Sequence, residues 1–131
     1  MSYIKINGTE FDADVAISSY KRSFSVLDGD NSGRVLTGRM SRDIIGTFLT
    51  YQVTVFRRGD NYEGLDTFWS YLLEHSVDDS VQVEVADNQG TYSFEAYYTS
   101  AEQEIEKVLN GVNYWGDIEV HFISMDAEVT P

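Results

Sequence analysis

Val81-Gln-Val-Glu-Val-Ala-Asp-Asn-Gln-Gly-Thr-Tyr-Ser-Phe-Glu-Ala-Tyr-Tyr98 decides the fold class. Val81, Val83 and Val85 alternate with Gln82 and Glu84, and a period of two puts the valines on one face of a strand. Asp87 to Gly90 supplies turn residues, and Tyr92, Phe94, Ala96 and Tyr98 line one face of the returning strand. A lone hairpin is marginal in water, so the rest of the chain must cover its apolar face.

Working outward, Thr47 to Phe56 alternates in the same way, with Leu49, Tyr51, Val53 and Val55 facing one side and Thr50, Gln52 and Thr54 the other. Ile118, Val120 and Phe122 alternate with Glu119 and His121 in a C-terminal strand. Tyr3 to Ile6 is a short strand closed by Asn7-Gly8, both of which tolerate positive φ, with Thr9 to Phe11 returning. From Val15 to Leu27 the alternation is imperfect, which predicts one long, partly exposed, bulged strand. Asp60 as N-cap with Glu63 three residues on starts a helix, and Leu65, Phe68, Trp69, Leu72 and Leu73 form one apolar stripe. Asp66, Ser70 and Glu74 occupy its outer face.

Residues 100–111 admit two readings. Ser100 and Gln103 can open a helix that buries Ala101, Ile105, Val108 and Leu109 and ends at Asn110-Gly111, and local signal favours it. As a strand, the same segment places Glu102, Glu104 and Glu106 on one acidic face, suited to a wall facing a polyanion. The sum is an α+β, mainly β fold: an antiparallel β-sandwich or barrel of about six to eight strands with one flanking amphipathic helix. One proline, at position 131, and no Gly/Ser-rich linker or repeat leave a single domain over residues 1–131. Residues 28–46, polar and basic after the Asp28 to Gly33 turn cluster, are expected to protrude as a loop or hairpin, and residues 128–131 to fray.

Charge is distributed unevenly. Residues 1–58 hold eight of the nine basic residues against six acids, whereas residues 59–131 hold one basic residue against sixteen acids. The first part of one copy therefore complements the second part of another, which points to self-association. A net charge of −13 argues against specific nucleic-acid binding, because Lys and Arg supply affinity for phosphates. MSYIKING shows no secretory pattern, and no apolar run approaches the ~18 residues of a membrane span, so no membrane partner is expected. The chain has no cysteine, which removes thiol chemistry.

Candidate chemistry is sparse. Asp28, Asp30 and Ser32 match the first half of a calcium loop, but its twelfth position is Arg39 where a bidentate glutamate belongs, so no metal or other cofactor is assigned. His75 and His121 lie far apart in sequence and no nucleophile elbow, paired-histidine motif or phosphate loop accompanies them, so the chain is read as noncatalytic. Arg34, Arg39, Arg42, Arg57 and Arg58 are candidates for a subunit interface, since the guanidinium fork suits fixed carboxylates. Glu102, Glu104 and Glu106 are the candidate acidic face. Tyr97, Tyr98, Tyr114 and Trp115 are candidate aromatic contacts, which a carbohydrate-binding module would use for stacking.

The run Ser32-Gly-Arg-Val-Leu-Thr-Gly-Arg-Met-Ser-Arg-Asp-Ile-Ile-Gly-Thr47, followed by an alternating strand and an amphipathic helix, resembles small structural tail proteins of tailed bacteriophages and prophages. So does Gly111-Val-Asn-Tyr-Trp-Gly-Asp-Ile-Glu-Val-His-Phe-Ile-Ser-Met125. The resemblance implies a subunit of a virion tail, assembled in the bacterial cytoplasm, that forms homo-oligomers such as rings or docks to other tail proteins. It also implies that the acidic part lines a channel along which DNA slides, and that residues 28–46 reach a neighbour. Tube, distal and completion positions are all compatible with it, as are an intact phage and a prophage remnant. The alternative is a carbohydrate-binding module on exposed Tyr and Trp.

Overall fold

The computed structural model describes residues 4–29, 33–34 and 36–131. Among the described residues ten strands occur in chain order: β1 (Ile4–Ile6), β2 (Ala13–Val15), β3 (Lys21–Asp28), β4 (Gly33–Arg34), β5 (Met40–Ser41), β6 (Ile44–Arg57), β7 (Val81–Asp87), β8 (Gly90–Tyr97), β9 (Ala101–Leu109) and β10 (Val112–Ser124). The helix α1 (Tyr62–Glu74) stands between β6 and β7. β4 and β5 form a separate two-stranded ribbon, and the others make one antiparallel sheet in the order β1-β7-β8-β10-β6-β2. β9 shares the β10 edge with β8, and β3 shares the β6 edge with β2, because each pair takes successive residues of the longer strand.

This sheet is mainly β architecture in a nearly closed form. At the seam, side chains replace the missing ladder: the Tyr20 hydroxyl accepts from Ala86 N, the Tyr51 hydroxyl donates to Asp87, and Arg22 donates to Asp87 and Asn88. Inward-facing residues fill the interior, among them Ile4, Ile6, Tyr51, Val53, Val55, Val83, Val85, Ile118, Val120 and Phe122, all at most 2% exposed. α1 covers the remaining opening with Leu65, Phe68 and Leu72, and Phe11 meets Phe68 edge to face at 4.9 Å between ring centroids.

The expected hairpin stands as β7 and β8, paired from Val81↔Ala96 to Asp87↔Gly90, with Asn88 at φ 43° in the turn. Before the C-terminal segment, the structure differs from the sequence reading in five places. The Asn7-Gly8 turn forms, with both residues at positive φ, but its return is a single bridge from Ile6 to Thr9, and β1 pairs with β7 instead. The predicted strand over Val15 to Leu27 is broken by a 3-10 turn at Ile17–Ser19, so β2 and β3 pair separately with β6. The helix cap is Asn61, not Asp60, its side-chain oxygen accepting from Gly64 N at 2.9 Å. Leu73 leaves the apolar stripe and is 64% exposed, because the turns above the core are filled by Leu65, Phe68 and Leu72.

The fifth difference is the largest. Residues 100–111, whose local signal favours a helix, form β9 and a tight hairpin into β10. Asn110 and Gly111, at φ 52° and 76°, make the reversal that the same dipeptide makes at Asn7-Gly8, and do not cap a helix. Pairing with the long strand β10 satisfies the backbone groups on one edge of β9, which a local propensity of a few tenths of a kcal/mol per residue cannot outweigh.

Two arms leave the core. β3 and β6 stay paired from Lys21↔Gln52 out to Asp28↔Ile44, with the β4–β5 ribbon beyond them, over the segment expected to protrude. The Tyr3, Asp30, Ser32 and Val35 positions lie outside the described residues. The far end of β9–β10 is the second arm, bent by register shifts between Tyr114 and Ile118. At the C-terminus, Thr47 exchanges backbone hydrogen bonds with Glu128 and Val129, and the Tyr92 hydroxyl donates to the Glu128 carboxylate, so part of the segment expected to fray is tied to β6 and β8.

Candidate functional site

A trough of about 790 Å³ lies on the outer side of the sheet, where β9, β10 and the end of β6 curl together. Glu102, Glu104 and Glu106 line it from β9, Asp117 and Glu119 from β10, and Thr54, Phe56 and Arg57 from β6. The alternation that half-buries Ala101 and Gln103 turns Glu102 outward, directly opposite Glu119 in the ladder. Like charges in a cross-strand pair are destabilising, so the fold carries this arrangement at a cost in stability. Glu119 accepts from Gln52 at 3.0 Å and pairs with His121 at 3.3 Å. Gly116 sits where a Cβ would come within 3.1 Å of the Glu104 carbonyl oxygen, so glycine lets the two strands close at the bend.

One end of the trough is clasped. Arg57 pairs with Glu106 at 3.5 Å and lies 4.8 Å over the Tyr62 ring. Tyr62 stacks edge-on against Tyr114 at 4.7 Å and donates to Glu106, and Lys107 sits over both rings. These alternating cations and rings fasten the root of the β9–β10 arm to the start of α1.

The basic candidates divide into two groups. Arg57 is held at the clasp, and Arg58 is held by Asp14 at 3.0 Å, Asp12 at 3.1 Å and the Ala13 carbonyl, locking the β2 approach to the end of β6. Arg42 makes a two-pronged pair with Asp28, both bonds 3.1 Å, across the base of the ribbon. Arg34 and Arg39 belong to the ribbon itself, where Arg34 donates to the Gly38 carbonyl and Arg39 is exposed. Of the calcium-loop trio, Asp28 is therefore occupied by Arg42, and Asp30 and Ser32 lie outside the described residues.

No protein-family model matches the chain, and no curated protein matches it.

The aromatic candidates do not form one platform. Tyr98 packs edge-on against Phe122 and donates to the Leu72 carbonyl at 2.6 Å, which commits it to the core and raises its pKa to about 12 through burial. Tyr97 stands outward on β8, whereas Tyr114 and Trp115 are at the opposite end of β10, in the second arm. Beside the seam, Arg22, Phe24, Leu49, Tyr51, Asp87, Tyr92 and Glu128 line a second hollow of about 430 Å³. There burial, then the bond to Asp87, pushes Tyr51 up to about 12, and the bond to Glu128 does the same for Tyr92.

Sequence reasoning missed the apolar load on both arms. Phe24, Leu27, Leu36, Met40, Ile44 and Ile45 are exposed on or beside the first, and Ile105, Val108, Leu109, Val112 and Trp115 on the second. The signal was available at β9, where Val108, Leu109 and Val112 flank Asn110-Gly111 as a hairpin tip would, but a core-forming helix gave those residues a simpler destination.

Proposed function

We propose that this chain is a noncatalytic structural subunit of a phage or prophage tail, which self-assembles or docks to other tail proteins. The observation that carries the reading is the pair of arms: a filled core extends in two directions as β-ribbons that hold large apolar side chains in water. Apolar surface on that scale marks contact sites, and here one arm is basic at its tip while the other is acidic along its edge. Unlike faces that meet head to tail close into a ring or run on as a filament. The resemblance of residues 32–47 and 111–125 to tail proteins, together with the charge split, gives such an assembly its setting. Acidic surface left facing a channel would repel DNA and let it slide.

Light scattering across concentration at low and high salt, with negative-stain microscopy of the same samples, tests the proposal. Salt-sensitive rings or tubes are expected. Monomer at every concentration in both salts, with no retention on neighbouring tail proteins in pull-down, would count decisively against it.

A further inference from the structure

We infer that the trough receives the basic tip of a second copy, residues 33–42, laid against the open edge of β9. This contact rests on the self-assembly reading above and gives it a specific pair of surfaces.

Three observations converge on it. The first is backbone: β9 is nine residues long and pairs with β10 on one side, and among the described residues no backbone hydrogen bond joins Ala101–Leu109 to another element on the other side. An open edge of that length is a template for an added strand. The second is charge. Glu102, Glu104 and Asp117 have no cationic partner among the described residues, and Arg57 alone supplies positive charge to the lining. Residues 33–42 contain three arginines and no acid, Arg39 has no partner among the described residues, and Leu36 is wholly exposed. Incoming guanidinium groups relieve the Glu102–Glu119 repulsion and meet carboxylates in the geometry arginine favours.

The third observation excludes closure within one molecule. The ribbon begins beyond Ile44 at one end of β6, and the trough uses Thr54 to Arg57 at the other. Ten residues of strand separate them by roughly 33 Å. The tip of one copy must therefore enter the trough of another, which leaves its own trough free for a third.

A fluorescent peptide of residues 32–42 tests the contact directly by anisotropy against the whole protein at low salt. Saturable binding that weakens with added salt is expected. The combined variant Glu102→Gln, Glu104→Gln, Asp117→Asn should bind at least tenfold more weakly while melting no lower than the parent, since it removes repulsion and leaves the core intact. A peptide with Arg34→Ser, Arg39→Ser and Arg42→Ser should not bind. Equal binding by the trough variant, or no saturable binding by the parent protein, would overturn the contact; in that case the carboxylates only guard the edge against pairing. Light scattering separates the two proposals. Assembly unaffected by the trough substitutions retains self-assembly and sinks the contact alone, whereas monomer at every concentration sinks both.

Discussion

Replacing Phe68 with alanine should cost about 3–5 kcal/mol, the range for removing a fully buried phenylalanine without collapse of the cavity. Phe68 is 0% exposed and closes the sheet interior from α1, with Phe11 edge-on against it. Phe11 is fixed by its own contact with Tyr71 at 5.1 Å, so it is poorly placed to fill the void. Alanine is the better helix former, but by only about 0.5 kcal/mol, so propensity cannot reverse the sign. At about 2.1 cal/mol/K per residue, a chain of 131 residues unfolds with an entropy near 0.28 kcal/mol/K. The expected fall in Tm is therefore about 11–18 °C. Leu73→Ala is the matched control, since the sequence pattern puts both residues on one stripe while the structure leaves Leu73 64% exposed. About a third of a leucine's burial is at stake there, roughly 0.5–1 kcal/mol, or less than about 4 °C. Calorimetry with chemical denaturation measures both variants. Equal losses at the two positions, or a loss below about 1 kcal/mol at Phe68, would refute the placement of the helix on the sheet.

Three other outcomes follow from local geometry. Gly64→Ala should destabilise by about 2 kcal/mol or more despite alanine's helix propensity, because its Cβ would fall well inside 3 Å of the Asp12 carbonyl oxygen; a stabilised variant in urea melts would contradict this approach. Gly111→Ala should cost about 1–2 kcal/mol from its φ of +76° and should raise hydrogen exchange in β9 and the adjoining part of β10, whereas unchanged exchange there would argue against the tight turn. Tyr51, Tyr92 and Tyr98 each titrate near 12 when folded, against 10 for the free side chain. Because the folded state holds these protons more tightly, their contribution to stability is complete below pH 10 and is lost as pH rises to 12. Phenolate absorbance at 295 nm should lag in the native protein, and Tyr92→Phe should remove one of the late-titrating groups; ordinary titration of all nine tyrosines near pH 10 in folded protein would sink this assignment.

What the sequence determined by itself was whatever a period of two or a single dipeptide could encode. The valines of β7, the Leu49 to Val55 alternation of β6 and the Ile118 to Phe122 alternation of β10 state which side chains go inward, because one slipped residue would turn all of them to water. The charge division was equally legible, since it is a count along the chain. The tertiary structure decided the rest, through partners far apart in sequence. β9 is a strand because β10 offers it a ladder, and Asn110-Gly111 is a hairpin turn because strands flank it. Leu73 is exposed because the sheet beneath α1 has room for Leu65, Phe68 and Leu72 and ends there. The trough was legible only as acids of alternating position in a segment whose local signal favoured a helix. Its walls come from residues 54–59 and 102–119, and they meet only because β10 pairs with β6 on one edge and with β9 on the other, bending at Gly116. Local patterns specify which face of an element is buried, but the pairing of distant edges specifies which outward faces become neighbours.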